Sequence, residues 1–201
     1  MKASVYTRPN KPKFISRRRR DVPPLQSAPA LQKPVVVHKG TECHVTRADI
    51  AARMVEYLQA DGNYNTLEPS AGTGALVSAL LQSGHSSAEI CAVELHHELA
   101  AQVRRLSVPV IQECFLEYAE RVRGKVEFPR IIMNPPFSKV RAHIRAALSL
   151  LGRNGHATRP VLVALVPVTF EHEGSETVEH LPDDAFAACK VRTKIIRIVG
   201  A

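Results

Sequence analysis

The residues with the most chemistry in one place are Asn134-Pro135-Pro136-Phe137, directly behind the apolar run Ile131-Ile132-Met133. Proline fixes its own φ and restricts the residue before it, so a buried strand ending this way stops with the Asn134 side chain and the Pro135 carbonyl held in one geometry. A pair of fixed acceptors suits an sp² exocyclic amine, whose lone pair is delocalised into its ring and attacks poorly. The Asn134 amide oxygen and the Pro135 carbonyl can each accept one N–H and draw the nitrogen towards sp³, while Phe137 stacks on the ring of an extruded base. Asn-Pro also opens ordinary turns and Pro-Pro occurs in linkers. The apolar strand before the motif and the aromatic after it favour the chemical reading.

Such a nitrogen needs an electrophile held opposite it. Pro69-Ser70-Ala71-Gly72-Thr73-Gly74 follows a short strand candidate, Thr66 to Glu68, and precedes an apolar helical run, Ala75 to Leu81. With no Cβ at Gly72 and Gly74, backbone can approach a ligand closely, although glycines also mark plain tight turns. A dinucleotide fingerprint wants a third glycine where Val77 stands, which argues against NAD or FAD. Glu94, twenty residues beyond Gly74 at the end of the next strand candidate, is placed to accept both hydroxyls of a ribose. Glu68 adds a second carboxylate where a cationic ligand benefits. A nucleoside between two acids points to a sulfonium, and methyl transfer from it is catalysed by positioning and local dipoles, with no base or metal required.

Alternating elements must position these groups. Ile50, Met54, Val55 and Leu58 recur at helical spacing behind Thr46, the expected N-cap, and a turn is expected at Asp61-Gly62-Asn63. Strands are expected at Glu89 to Glu94, Pro109 to Gln112, Arg130 to Met133 and Pro160 to Val166. Helices are expected at His97 to Leu106, Leu116 to Arg121 and Ser138 to Leu151, with a last strand at Val191 to Val199. Helices between short β-branched strands argue for an α/β, doubly wound, mostly parallel sheet covered on both faces.

Composition sets the frame. The chain has 201 residues, 45% hydrophobic and 23% charged, enough for one domain with a conventional core. No apolar run is long enough for a membrane span and the N-terminus lacks a signal-like apolar region, so a cytoplasmic protein is expected. Cys43, Cys91, Cys114 and Cys189 are far apart and read as reduced packing residues. His38, Cys43 and His44 match no standard metal spacing, and no metal is expected. With no Trp and 5% aromatics, broad base-stacking platforms are disfavoured. The net charge of +8 is uneven: residues 1–40 hold ten basic side chains against one acid, or +9, and residues 41–201 hold seventeen against eighteen, or −1. The arm, 1–40, is Pro-rich without apolar periodicity and is expected to be disordered when free. Arg17, Arg18, Arg19 and Arg20 can neutralise phosphates, or serve as a solvated tail.

Over most of 41–201 these motifs resemble class I S-adenosylmethionine-dependent methyltransferases of the N6-adenine type. Leu67 to Leu76 is similar to that family's cofactor loop, Glu94 to its ribose acid and Asn134 to Phe137 to its catalytic tetrapeptide. The resemblance implies a Rossmann-like, seven-stranded sheet, S-adenosylmethionine as cofactor, and contacts from Glu68, Pro69, Ser70, Ala71, Gly72 and Gly74. It implies a contact from Thr46 at the methionine end, since Thr46 to Met54 is similar to the segment that precedes the cofactor loop in one subgroup. Where the family has an acid before Phe against the cofactor's adenine amine, this chain has Cys114 before Phe115, and Glu113 or a backbone group is expected to substitute. Between Val161 to Val166 and Thr177 to Leu181 the family's helix must be shortened or lost. Relatives often carry a large target-recognition domain after the core and none is expected here, so selectivity is expected to come from the arm, from loops or from a partner, or to be low.

The expected function is methyl transfer to the N6 amine of adenine in nucleic acid, DNA before RNA. A glutamine amide of a protein presents the same type of nitrogen and is the alternative within enzymes. A catalytically silent module that binds cofactor and nucleic acid is the alternative outside them. The acidic stretch Glu171 to Glu179 reads as a lid edge or a solvated loop.

Overall fold

The seven strands line up in the order β3-β2-β1-β4-β5-β7-β6, with β1 Thr66–Glu68, β2 Ile90–Val93, β3 Val110–Ile111, β4 Arg130–Met133, β5 Val161–Pro167, β6 Ser175–His180 and β7 Thr193–Val199. A computed structural model describes residues 45–60, 64–182 and 191–201. The expected arm, Arg17 to Arg20, the 61–63 turn, and His38, Cys43, His44 and Cys189 lie outside them. Pairs among β1 to β5 are parallel, and β7 runs antiparallel to both β5 and β6. This is the expected α/β doubly wound, mostly parallel sheet.

The helices are α1 Ala48–Leu58, α2 Ala75–Gln82, α3 His97–Arg104, α4 Phe115–Val122 and α5 Val140–Leu148. Period-two alternation sorts the strand residues between two cores. Ile132, Val163 and Leu165 face α1 and α2, whereas Ile131, Met133, Leu162, Ala164 and Val166 face α4 and α5. Strands buried on both faces read as continuous apolar runs, which is why β4 and β5 were legible. Arg47, not Thr46, takes the N-cap position of α1 and makes no side-chain cap bond. The last parallel crossover helix begins after a 3₁₀ turn, Phe137–Lys139, because the two prolines delay its first hydrogen bonds.

Between β5 and β6 the helix is lost. Pro167 is level with Thr193 at one end of β7, and Ser175 with Ile198 at the other. The chain must therefore run back along the sheet and across two strand spacings, about 19 Å, which eight extended links of about 27 Å can span. Residues 168–174 make this return and bury Phe170 in the α4/α5 core, with the Arg141 guanidinium over its ring at 5.5 Å. Of the expected acidic stretch, Glu176 and Glu179 lie in β6, which starts two residues earlier than expected. The Arg53 Nε–H is shared between both oxygens of the Glu179 carboxylate, at 3.1 Å each, and the Tyr57 hydroxyl donates to Oε2 at 3.0 Å, tying α1 to the edge strand.

If Phe170 replaces the missing helix as core filler, Phe170→Ala should lower the unfolding free energy by about 3–5 kcal/mol. Val126→Ala, at an exposed site, should change it by no more than about 0.5 kcal/mol. Urea titrations of both variants test this, and equal small losses would remove Phe170 from that role.

Candidate active site

The sheet order reverses between β1 and β4, which pair directly although three helices and two strands separate them in the chain. In open α/β sheets the crevice outside the carboxyl ends at that reversal is where ligands bind. Here Glu68, Glu94 and Asn134 stand at or just beyond the ends of β1, β2 and β4. A cleft of about 380 Å³ opens over this edge, within the size range of small-molecule sites.

Its floor is the Pro69 to Thr73 turn. Gly72 adopts φ +52°, a left-handed conformation suited to glycine, and its N–H donates to Glu94 Oε2 at 2.7 Å. Glu94 Oε1 accepts the His96 N–H at 2.8 Å. The Glu94 carboxylate thus clamps the turn to the end of β2 while each oxygen keeps a further lone pair for a hydroxyl donor. From the other side, Gln102 Nε2 donates to the Thr73 carbonyl at 3.2 Å.

Pro69, Ser70, Ala71, Gly72, Glu94, Cys114, Phe115, Asn134, Pro136 and Thr46 all line this cleft. Thr46 and Asn134, far apart in sequence, meet: Asn134 Nδ2 donates to Thr46 Oγ1 at 3.1 Å. That bond holds the amide against Thr46, with Nδ2 placed on its hydroxyl.

Four expected site residues lie outside the lining, each for a physical reason. Glu68 turns beneath the floor, fully buried, with Oε1 accepting the Ser70 N–H at 3.2 Å. Burial pushes its carboxyl well above the usual carboxylate range, the Ser70 bond offsets part of that, and the Glu94 carboxylate adds to it. It is therefore no second negative charge in the cleft. Gly74, at φ +84°, faces α3: a Cβ there would sit 3.0 Å from Leu106 Cδ1 and 3.4 Å from Val103 Cγ2. Its glycine allows close helix packing rather than ligand approach. Pro135 is buried, and Phe137 is half-buried against the α1/α2 core.

Other lining residues carried no motif: Val45 and Leu95, both more than half exposed at the mouth, and Ser138, Lys139 and His143 on the far wall. His143 was detectable in principle as a histidine in the buried stripe of α5, alongside Ile144 and Ala147. The expected substitute Glu113 also lines the cleft, but Arg121 takes its carboxylate, with Nε on Oε1 at 3.2 Å and Nη2 on Oε2. Cys91 and Cys114 are free thiols. Among the described residues no cluster of His, Cys, Asp or Glu could hold a metal, and no helix is long and apolar enough to cross a membrane.

The Glu68 environment gives a pH test. Its carboxyl holds a proton to higher pH folded than unfolded, so the contribution of Glu68 to stability is fully present below about 4.5 and is lost as pH rises above it. Glu68→Gln keeps the Ser70 acceptor and removes the ionisation. The fall in Tm from pH 5 to pH 8 should be smaller in the variant, by about 2 °C or more. Parallel Tm curves would show that Glu68 ionises without cost.

No protein-family model matches the chain, and no curated protein matches it by sequence. Solved structures do match by fold. The methyltransferase subunit of a type I restriction-modification system from Streptococcus thermophilus superposes with TM-score 0.62 at 16% identity, covering 77% of this chain and 44% of that one. TrmN from Thermus thermophilus gives 0.59 at 15%, covering 77% and 49%. A protein from Listeria monocytogenes assigned as a class I S-adenosylmethionine-dependent methyltransferase gives 0.58 at 13%, covering 80% and 62%. The chain spans about half the length of these structures. With its strand order, switch-point cleft and antiparallel β7, the chain has the fold of the class I S-adenosylmethionine-dependent methyltransferases.

Proposed function

We propose that this protein is an S-adenosylmethionine-dependent methyltransferase that modifies the N6 amine of adenine in nucleic acid, DNA in the first place. The observation that carries this reading is the placement of Asn134, whose amide is oriented by Thr46 in the same cleft as the Gly72 turn and Glu94.

The cleft fits the cofactor's parts. Glu94 has lone pairs left for ribose hydroxyls. The backbone at Gly72 has no Cβ to hold a ligand off, and Leu95, Leu99, Phe115 and Leu116 offer apolar walls to a base. S-adenosylmethionine, when bound, supplies an electrophilic methyl group. The chain's own part is to hold the accepting amine. The Asn134 oxygen and the Pro135 carbonyl accept its two N–H bonds and the prolines keep both acceptors fixed, with Pro135 and Phe137, which stand outside the lining, turning towards the bound base. Dipoles placed in advance stabilise the charge that develops on the nitrogen without a general base.

Nucleic acid is preferred to a glutamine amide because of the basic 1–40 segment and because an aromatic neighbour suits a base. The fold shared with a restriction-modification methyltransferase subunit is consistent with DNA.

The test is transfer of labelled methyl from S-adenosylmethionine to duplex DNA, single-stranded DNA, RNA and a protein extract in parallel, with labelled nucleic acid digested to nucleosides. Label in N6-methyladenine is expected, and Asn134→Ala should lower kcat by about 10²–10³-fold. Thr46→Val, which removes the acceptor for Nδ2, should lower kcat by about 10- to 100-fold, with Thr46→Ser restoring most of it. Label only in glutamine would move the substrate to protein. No label anywhere, with cofactor still bound, would leave a silent binding module.

A further inference from the structure

A purine's exocyclic amine is a donor, and a site that distinguishes it from a carbonyl needs a fixed acceptor. The wall of the cleft around Phe115 has few. Cys114 carries only a thiol, a weak acceptor. The Glu113 carboxylate keeps spare lone pairs but is a partly exposed group ion-paired with Arg121, so an amine there would share it with a guanidinium and with solvent. Lys139 brings an ammonium, which can only donate.

His143 differs from all of these. Its ring lines the cleft from α5, is 6% exposed, and lies 5.7 Å from the Phe115 ring at an interplanar angle of 36°. Its Nδ1 is 3.2 Å from the Lys139 carbonyl oxygen. A carbonyl only accepts, so Nδ1 carries the hydrogen, and in the neutral ring Nε2 is then the acceptor. Burial lowers its pKa, the carbonyl bond opposes this in part, and the Lys139 ammonium lowers it further. The neutral tautomer is thus fixed by its surroundings.

Resting on the assignment of this cleft to S-adenosylmethionine, we propose that His143 is the residue that selects the cofactor's adenine, with Nε2 accepting the exocyclic amine while Phe115 packs on the base. The acid expected before Phe115 is thereby replaced from another element, α5, rather than by Glu113 or by a backbone group.

The test is calorimetric titration of the full chain with S-adenosylhomocysteine and with S-inosylhomocysteine, in which a carbonyl oxygen replaces the amine. Wild type should prefer the adenosyl compound by about 10-fold or more. His143→Phe should bring the two within about twofold, mainly by weakening the adenosyl compound. His143→Gln, which returns an acceptor oxygen, should recover part of the preference. Thermal melts of each variant confirm folding. A preference that survives in His143→Phe, or that is lost in Glu113→Gln instead, overturns the proposal. Failure of wild type to bind either compound removes the cofactor assignment itself and the proposal with it, whereas equal binding of both by wild type refutes only the role of His143.

Discussion

One carboxylate holds the cleft together. Glu94 ends β2 and accepts from the Gly72 N–H of one segment and the His96 N–H of the next. Without it, the turn after β1 would have an unanswered N–H and would be held only by the Ala71 N–H on the Val93 carbonyl and by Gln102 on the Thr73 carbonyl. The same two oxygens are the ones the proposed function assigns to a ribose, so in that reading the group that builds the floor also reads the ligand. A residue with both duties leaves little freedom in where a nucleoside can lie, and that constraint propagates to the distance between any bound group and Asn134.

The second fixed point is the end of β4. Four buried residues bring the strand to the edge, two prolines end it, and Asn134 reaches Thr46 just ahead of α1. Because α1 packs over β4 and β5 and is tied to β6 through Arg53, Tyr57 and Glu179, the partner of the Asn134 amide is held by a helix anchored at the far edge of the sheet. The loss of the helix between β5 and β6 leaves that anchorage intact, since Phe170 fills the opposite core and Glu179 meets α1 from the other face. The departure is confined to the half of the sheet away from the β1/β4 crevice.

What the sequence made legible was local. Short β-branched runs, small-residue turns and proline stops gave the element order and the polar groups at the carboxyl edge, because each depends only on neighbours in the chain. What escaped depended on distant packing. Gly74 looked like a ligand contact until α3 was seen against it, and Glu68 looked like a charge in the cleft although every residue of the three-residue β1 is buried. The meeting of Thr46 with Asn134 and the place of His143 in the wall are long-range contacts that no spacing rule encodes.

The most direct measurement of the central claim is calorimetric titration of S-adenosylhomocysteine into wild type and Glu94→Ala, with hydrogen exchange at the Gly72 amide followed in both. A nucleoside read by the clamp predicts tight binding by wild type, at least about 100-fold weaker binding by the variant, and Gly72 protection that rises with ligand only in wild type. Undiminished affinity in Glu94→Ala would contradict the account, since the floor of the cleft would then neither depend on that carboxylate nor use it to hold the ligand.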